Sequence, residues 1–213
     1  MNLSEHGAAR LHGAAAPFLC RLEQVLAAVP ADRAGVRLHG LTGLAEVLES
    51  CAAQLLDETA RPVRAILFDK NPATNWALGW HQDRTIAVTA RAKAPGFGPW
   101  SVKAGIHHVE PPFALIEQMR TIRIHLDPVD VDNSPLLIAP GSHRLGKLTD
   151  AEIEGAVVRC GTAACLADRG DIWVYATPIL HASARATRPE RRRVLQVDFS
   201  ADTLPGSLEW LGL

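Results

Sequence analysis

Long hydrophobic runs are missing from this sequence. No stretch approaches the roughly 20 consecutive apolar residues that a membrane-spanning helix requires. The first 20 residues carry Glu5, Arg10 and two histidines, where a secretory signal would need an uninterrupted apolar segment. We therefore expect a cytoplasmic protein without a membrane partner.

Cysteine and net charge are also low. The four cysteines, Cys20, Cys51, Cys160 and Cys165, show no C-x-x-C spacing and no dense framework, so reduced, buried thiols are expected. A net charge of −1 argues against a nucleic acid held by bulk electrostatics. No internal repeat or low-complexity linker divides the chain. Because 213 residues with 47% hydrophobic composition can bury one full core, we expect a single domain over residues 1–213.

The triplet His81-Gln82-Asp83 is the first feature that points to chemistry. On a strand, residues two apart point to the same side with Cα atoms about 7 Å apart, so His81 and Asp83 can reach one ion while Gln82 points away. A third ligand must then come from elsewhere. Two imidazoles and one carboxylate leave positions open on iron(II) for a bidentate co-substrate and dioxygen. Nine histidines and 23 acidic residues make such a triplet common by chance, so its context matters.

Strand-like segments and turns accompany the triplet in a definite order. They are Trp76-Ala-Leu-Gly-Trp80, Thr85-Ile-Ala-Val88, Leu136-Leu-Ile-Ala139, Pro140-Gly-Ser-His143, Gly170-Asp-Ile-Trp-Val-Tyr175, Ile179-Leu-His181-Ala-Ser183 and Arg191-Arg-Arg-Val-Leu-Gln-Val-Asp-Phe199. This ordered set resembles the phytanoyl-CoA dioxygenase family of iron(II)- and 2-oxoglutarate-dependent oxygenases. The resemblance covers about residues 63 to 200.

The resemblance implies a set of site residues. A W-H-x-D segment supplies two metal ligands in this family and an H-x-S segment supplies the third, which here implies His81, Asp83 and His181. An arginine about eleven positions after the distal histidine binds the far carboxylate of 2-oxoglutarate, which implies Arg192. Ser183 would share the face of His181 and could donate to the same carboxylate. No catalytic residue is expected beyond the metal ligands.

One position departs from the family pattern. Ser134 stands where the family usually has glycine after Asn133. Both Asn and Ser favour turns through local side-chain hydrogen bonds, but a left-handed backbone costs more for serine than for glycine.

The demand for an arginine also follows from the chemistry. A dicarboxylate that chelates iron at one end leaves its other carboxylate buried, and a planar guanidinium is a better bidentate partner for it than an ammonium. Strand alternation places Arg192 on one face and Arg191 and Arg193 on the other. Periodicity alone does not say which face meets the site, and only the family spacing favours Arg192.

The pattern of elements predicts a mainly β protein with N-terminal helices. Residues 1–62 have two amphipathic helical patterns, around 18–29 and 44–55. Residues 63–200 contain short strands separated by turns, among them Val157-Val158. We expect helices packed outside a double-stranded β-helix, a cupin-like jelly roll. Residues 91–112, rich in Gly and Pro, predict a long lid loop whose Phe97 and Trp100 contact substrate. An ordered surface segment that these two aromatic rings hold in place is the open alternative.

The resulting functional hypothesis is an iron(II)- and 2-oxoglutarate-dependent dioxygenase. It would hydroxylate an unactivated C–H bond of a small organic substrate with dioxygen and release succinate and carbon dioxide. Asp83 favours hydroxylation over halogenation, because a halogenase would need a small residue there to admit chloride. Three alternatives stay open: a cupin-like metal enzyme that does not use 2-oxoglutarate, a non-catalytic binding module, and a protein hydroxylase of the same fold. Neither the substrate nor the oligomeric state follows from the sequence.

Overall fold

The computed structural model of this chain describes residues 1–30, 33, 35–56 and 58–213. The helices among these residues are α1 (Leu3–His6), α2 (Leu19–Leu26), α3 (Leu44–Leu55), α4 (Phe113–Gln118) and α5 (Asp150–Cys160). The strands are β1 (Ala8–Leu11), β2 (Gly35–Leu38), β3 (Arg61–Lys70), β4 (Leu78–His81), β5 (Ile86–Val88), β6 (Trp100–Lys103), β7 (Ile106–Val109), β8 (Arg120–His125), β9 (Leu136–Ile138), β10 (Ala163–Cys165), β11 (Ile172–Ala176), β12 (His181–Ser183) and β13 (Arg192–Ser200).

Two antiparallel sheets form the body of the protein. The larger sheet has the order β1-β11-β8-β13-β3-β2, and the smaller sheet has the order β10-β9-β12-β4. A buried apolar cluster between them joins Leu136 and Ile138 of β9 to Trp173 and Tyr175 of β11. Most neighbouring strands are not consecutive in the chain, because the chain alternates between the two sheets. The predicted jelly roll is confirmed.

The two faces of the larger sheet differ in polarity. The side chains of Ile122 and Ile124 on β8, and of Leu126 just after it, belong to a hydrophobic core with α2 and α3, in which Leu22 and Leu48 are buried. Burying each such leucine contributes roughly 1.5–3 kcal/mol. The residues that alternate with them on β8 are polar and turn to the interior between the sheets. The predicted helices outside the sheet are therefore present, and the interior of the jelly roll is left for polar chemistry.

The N-terminal part is less helical than predicted. Strands β1 and β2 lie within residues 1–62 and form the two edges of the larger sheet, with β1 paired to β11 and β2 paired to β3. Each strand has four residues, which are too few to show an alternating pattern that differs clearly from the neighbouring helical patterns. Residues 31, 32, 34 and 57 of this predicted region lie outside the described residues.

The segment 91–112 is not a single irregular loop. It contains the hairpin of β6 and β7, which joins β5 in a small three-stranded sheet. The hairpin turns at Ala104 and Gly105, whose φ angles are 51° and 79°. Positive φ at both central residues matches the twist of the flanking strands, which explains why a glycine-rich segment here forms a hairpin.

The side chains of Phe97 and Trp100 do not line the cavity described below. Both pack against a cluster that includes Val63, Ile86 and Val109. Their aromatic rings hold the hairpin segment against the body of the protein, as the second of the two sequence interpretations expects. Contact of either ring with substrate stays a prediction.

Two smaller predictions need correction. Val157-Val158 lies in α5, because the capping box of Thr149 and Glu152 begins a helix there. All four cysteines are free, but Cys20 is exposed. Among the described residues, no helix has the length and apolar character needed to cross a bilayer.

Candidate metal centre and adjoining cavity

His81, Asp83 and His181 come together at one end of the smaller sheet. His81 ends β4 and His181 begins β12, and the two are direct partners across these antiparallel strands. Their ring centroids lie 4.2 Å apart. Asp83 follows β4 by two residues, and one ligand atom from each of the three side chains lies within 4.8 Å of the others. This arrangement could hold one divalent metal ion with open coordination positions.

The backbone orients both imidazoles. His81 Nδ1 lies 2.8 Å from the carbonyl oxygen of Gly79, and His181 Nδ1 lies 3.0 Å from that of Ile179. A ring that donates through Nδ1 keeps its Nε2 lone pair for a metal. Burial lowers the pKa of His181 to about 4 even though Asp83 opposes the shift, so this ring is neutral at physiological pH.

Gln82 points away from the metal ligands and holds this chain segment in place. Its Nε2 donates to the carbonyl oxygens of Gly146 and Pro178, each at 3.0 Å. Its Oε1 accepts from the amide of Leu148 at 3.0 Å. These hydrogen bonds use both amide donors and one of the two acceptor sites of the amide at a point where β4 has ended, and they position the residues on either side of it.

Arg64 connects the Asp83 carboxylate to a second buried acid. Its Nη2 donates to Asp83 at 3.2 Å and its Nε donates to Asp198 at 2.5 Å, while Thr121 Oγ1 donates to the other oxygen of Asp198 at 3.0 Å. Burial raises the pKa of Asp83, but Arg64 and the two histidines outweigh it and hold that pKa below its usual range. Arg64 was not predicted from the sequence. It pairs in register with Asp198 on the adjacent strand, and both side chains lie on the polar face of the larger sheet.

A cavity of about 560 Å³ adjoins the three side chains. The smaller sheet contributes His81, His181 and Ser183 to its wall, and the larger sheet contributes Arg123 and Arg192. Volumes of this size are typical of small-molecule sites. The candidate metal centre therefore adjoins a space between the two sheets, and His81 also borders a second pocket beside α5.

Arg192 is the arginine of β13 that faces this cavity. It is 2% exposed, and its Nη1 donates to the carbonyl oxygen of Ser134 at 2.8 Å, but its buried Nε has no partner among the described residues. Arg191 and Arg193 instead form ion pairs outside the cavity, each at 2.8 Å, with Asp69 and Asp127. Burial first, and then Arg123, lowers the pKa of Arg192 to about 9. A buried guanidinium without an anion is costly, and a bound carboxylate would remove that cost.

A further unpaired donor and a serine hydroxyl lie in the same cavity as Arg192. Arg123 donates to Gln196 Oε1 at 2.6 Å, yet its buried Nε has no partner within the described part of the chain. Ser183 Oγ lies 3.2 Å from Ser134 Oγ. Buried polar atoms are normally hydrogen-bonded, so orphaned guanidinium nitrogens at one place indicate a missing acceptor. A dicarboxylate fits this part of the cavity in both charge and donor count.

Ser134 takes the left-handed backbone that the sequence analysis considered costly, with φ of 55°. Its hydroxyl accepts from Lys70 Nζ at 2.6 Å and donates to the carbonyl oxygen of Ala184 at 2.5 Å. Lys70 is fully buried and also donates to that carbonyl oxygen at 2.8 Å. Burial first, with help from Arg192 and Arg185, lowers the pKa of Lys70 to about 8. The serine that replaces the usual glycine therefore binds a buried lysine, Lys70, and the sequence did not indicate this partner.

We expect Ser134→Ala to lower the free energy of unfolding by about 1–3 kcal/mol, because Lys70 loses one of its buried partners. Ser134→Gly should cost about 1 kcal/mol less than alanine, since glycine adopts the left-handed conformation without strain. Urea unfolding followed by circular dichroism measures both. Exposed Ser207→Ala is the control, and equal stability of all variants would show that Lys70 does not need the hydroxyl.

His125 on β8 is buried beside the same cations, and neither of its ring nitrogens has a partner among the described residues. Burial, followed by Arg123, Arg192 and Arg10, lowers its pKa to about 3, against an opposing effect of Asp171. In the unfolded chain this histidine is protonated below about pH 6.5, whereas in the folded chain it stays neutral. Its contribution to the free energy of unfolding is therefore fully present above pH 6.5 and is lost as the pH falls. We expect His125 to lower the free energy of unfolding by about 2 kcal/mol between pH 7 and pH 5.

Urea unfolding of wild type and His125→Phe at several pH values tests this expectation. The variant should lose stability less steeply below pH 6.5, whatever its stability at pH 7. The exposed His39→Phe should keep the wild-type slope. Identical slopes for wild type and His125→Phe would contradict a neutral, buried His125.

A jelly roll that gathers two histidines and one carboxylate beside a cation-lined cavity has the features of a non-haem iron oxygenase. The sequence matches the family model described as phytanoyl-CoA dioxygenase (PhyH) over residues 27–194. The chain therefore belongs to the phytanoyl-CoA dioxygenase family and is an iron(II)- and 2-oxoglutarate-dependent oxygenase.

Solved structures agree on the fold. EctD from S. alaskensis, crystallised with 2-oxoglutarate and 5-hydroxyectoine, is similar at 16% identity and a TM-score of 0.64, over 99% of this chain and 77% of that chain. AviO1 from Streptomyces viridochromogenes Tue57 is similar at 19% identity and a TM-score of 0.59, over 96% of this chain and 94% of that chain. The α-ketoglutarate-dependent epimerase SnoN from nogalamycin biosynthesis is similar at 14% identity and a TM-score of 0.58, over 96% and 87%. No curated protein sequence matches the chain.

Proposed function

We propose that this oxygenase hydroxylates an unactivated C–H bond of a small organic substrate and forms succinate and carbon dioxide from 2-oxoglutarate. One oxygen atom of dioxygen would enter the new hydroxyl group and the other would enter succinate. The observation that carries the proposal is the juxtaposition of the two-histidine, one-carboxylate cluster with the unpaired Arg192 Nε in one cavity.

In this proposal His81, Asp83 and His181 hold the iron. The donor set fits iron(II), because two neutral imidazoles and one carboxylate are the ligands that non-haem iron oxygenases use. Bound iron(II) would supply the activation of dioxygen that is coupled to decarboxylation of the 2-oxo acid. Arg64 supports this set by keeping Asp83 ionised and oriented. A ligating carboxylate that is itself hydrogen-bonded binds metal better than one that is free.

Arg192 and Ser183 hold the far carboxylate of 2-oxoglutarate. The Arg192 Nε needs an acceptor, and a carboxylate would provide one in a planar, charge-assisted contact. Ser183 Oγ lines the cavity beside it and can donate a further hydrogen bond. Arg123 supplies the second positive charge that a dianionic co-substrate requires. These residues bind and orient the co-substrate while the surrounding sheets exclude water.

The nature of Asp83 bears on the reaction outcome. Its carboxylate would occupy a coordination position that chloride would need in a halogenating enzyme. Hydroxylation is therefore the expected outcome rather than halogenation.

Two alternatives make different demands on the cavity. A cupin-like enzyme that does not use 2-oxoglutarate would leave the buried guanidiniums of Arg123 and Arg192 without an anion, which is energetically unfavourable. A protein hydroxylase would need access for an extended peptide, whereas this cavity lies between the two sheets and has the volume of a small-molecule site. Both observations support a small substrate together with a dicarboxylate co-substrate.

Succinate formation tests the proposed function. The iron(II)-loaded protein should convert 2-oxoglutarate to succinate under air, and a true substrate should accelerate this turnover and gain one oxygen atom by mass spectrometry. Omission of iron or of dioxygen should stop both. A substrate that is consumed without any gain of oxygen would overturn hydroxylation, and metal-dependent turnover without succinate would favour the cupin-like alternative.

A further inference from the structure

We propose that the substrate of this oxygenase is a small organic anion whose acidic group binds between Arg37 and Lys103. The inference rests on the proposed function, since it takes one part of the cavity to be filled by 2-oxoglutarate. It concerns the cations that remain after iron and the co-substrate have been accounted for. The acidic group could be a carboxylate or a phosphate, because both are held by the same donors.

The cavity carries a large excess of positive charge. Among the described residues, its lining includes one acidic side chain, Asp83, and six cationic ones, namely Arg37, Arg64, Arg84, Lys103, Arg123 and Arg192. Arg64 is compensated by the buried Asp198, and Arg84 lies 3.6 Å from Asp150. The other four form no ion pair with any residue that the structure describes.

Loading of the site does not remove this excess. Iron(II) adds two positive charges and 2-oxoglutarate adds two negative charges, so the net charge of the cavity is unchanged. The co-substrate satisfies Arg192 and Arg123, which neighbour each other and line the cavity together with His181. Arg37 and Lys103 are then left without an anion. Desolvated charges of one sign in a low-dielectric cleft attract the opposite charge strongly.

Arg37 is built into this position rather than free on the surface. It lies on β2 in register with Ile66 of β3, and its Nε is buried without a hydrogen-bond partner among the described residues. Burial, followed by the neighbouring Arg64, lowers the pKa of Arg37. The orphaned Nε therefore indicates a missing acceptor here, as it does at Arg192.

Lys103 reaches the same region from the hairpin of β6 and β7. The fully buried His108 lies among these cations. Burial lowers the pKa of His108, and its hydrogen bond to Ile106 opposes this shift. The charges of Arg64, Lys103 and Arg37 lower that pKa further. Its Nε2 has no partner within the described part of the chain. Lys103 itself is exposed while lining the cavity, which places it at the rim. An incoming anion would meet Lys103 first and Arg37 deeper in the cavity.

The remaining walls indicate what the rest of the substrate is like. Ile66, Phe68, Trp76 and Leu78 contribute apolar surface to the cavity. Apolar walls favour a hydrocarbon body, and a cavity of this size is typical of sites for small molecules. The inferred substrate is therefore a small amphiphile with one acidic group.

Three probes with one apolar body and different head groups test this inference: octanoate, octyl phosphate and octanamide. Binding is measured anaerobically to the protein loaded with iron(II) and 2-oxoglutarate, by the change in the visible absorption of the chelate and by calorimetry. We expect octanoate or octyl phosphate to bind about tenfold more tightly than octanamide. Whichever anion binds better identifies the acidic group.

Variants then assign the preference to its residues. Arg37→Gln and Lys103→Gln should each reduce the preference for anions, with the larger loss at Arg37, while wild-type affinity for 2-oxoglutarate is kept. Exposed Arg159→Gln on α5 is the matched control and should behave as wild type. Equal binding of amide and anions, binding of none of the three probes, or a preference that survives Arg37→Gln would overturn the inference.

The proposed function fails in a different way. In that case iron(II) and 2-oxoglutarate produce no visible absorption in wild type, even at high concentration. Calorimetry with iron(II) and 2-oxoglutarate present still reports the preference between octanoate and octanamide and its dependence on Arg37. The two failures are therefore distinguishable.

Discussion

Asp83→Ala is expected to abolish iron-dependent succinate formation and to weaken iron(II) binding by more than about 100-fold. The loss of outer-shell partners alone typically costs a metal site roughly 10- to 100-fold, and here a direct ligand is removed. Among the described residues, Asp83 is the one carboxylate in the cluster with His81 and His181. Without it, the ion would keep two imidazole ligands and lose the negatively charged one. Anaerobic titration with iron(II) measures the affinity, and succinate release measures turnover.

A second substitution separates metal binding from folding. Asp83→Asn keeps the shape of the side chain and removes its charge, so it should lose iron affinity almost as fully as alanine. Arg64 keeps its contact with Asp198 in both variants, so the fold should survive. Exposed Asp202→Ala serves as the control and should bind iron as wild type does. Wild-type turnover by Asp83→Asn would rule this aspartate out as a ligand.

Arg192→Ala is expected to weaken 2-oxoglutarate binding by at least about 30-fold while iron(II) binding is retained. Truncating one partner of a buried, hydrogen-bonded charge pair costs roughly 2–5 kcal/mol. The variant also removes a guanidinium that is buried without an anion, so the protein without co-substrate should be no less stable than wild type. The visible charge-transfer absorption of the keto acid chelated to iron(II), recorded anaerobically against 2-oxoglutarate concentration, reports the affinity.

The neighbouring arginine provides the matched control. Arg191→Ala removes the same chemical group one residue away, but its guanidinium pairs with Asp69 outside the cavity. This variant should bind 2-oxoglutarate as wild type does. If Arg191→Ala weakens the binding of 2-oxoglutarate and Arg192→Ala does not, the assignment of the co-substrate site to this face of β13 is wrong.

The unpaired cations have a consequence for the energetics of the protein. Arg123 and Arg192 are 5% and 2% exposed, and neither has an acidic partner among the described residues. A folded protein tolerates such groups at a cost in stability, and sites of this kind are commonly functional. Ligands that bind only the folded state recover this cost, which is why 2-oxoglutarate should raise the melting temperature of wild type more than that of Arg192→Ala.

Features that depend on local spacing could be predicted from the sequence. The motif that carries His81 and Asp83 is local, and the structure brings both residues into one cluster, although Asp83 lies two residues beyond the end of β4 and not on a strand as predicted. The helices around residues 19–26 and 44–55 were predictable because an amphipathic repeat extends over several turns. The family resemblance named His181 and Arg192, but their roles stay predictions until they are measured.

Short elements and turn geometry were not predictable in this way. The hairpin of β6 and β7 was not predicted, because a segment with many glycines and prolines, such as the one around Gly105, has the composition of an irregular loop. Positive φ at Ala104 and Gly105 instead makes a tight hairpin turn. The edge strands β1 and β2 were missed because four residues do not establish a period.

Which polar groups share the interior depends on the sheet order of the folded chain. Strand alternation divided Arg191, Arg192 and Arg193 between two faces, but the cavity side became known only because β13 lies between β8 and β3 in the larger sheet. Arg64 and Asp198 meet across 134 positions of sequence, and Lys70 and Ser134 meet across 64. Such pairs depend on sheet order and register, which arise from the packing of the whole chain, whereas sequence periodicity reports only the neighbourhood of each residue.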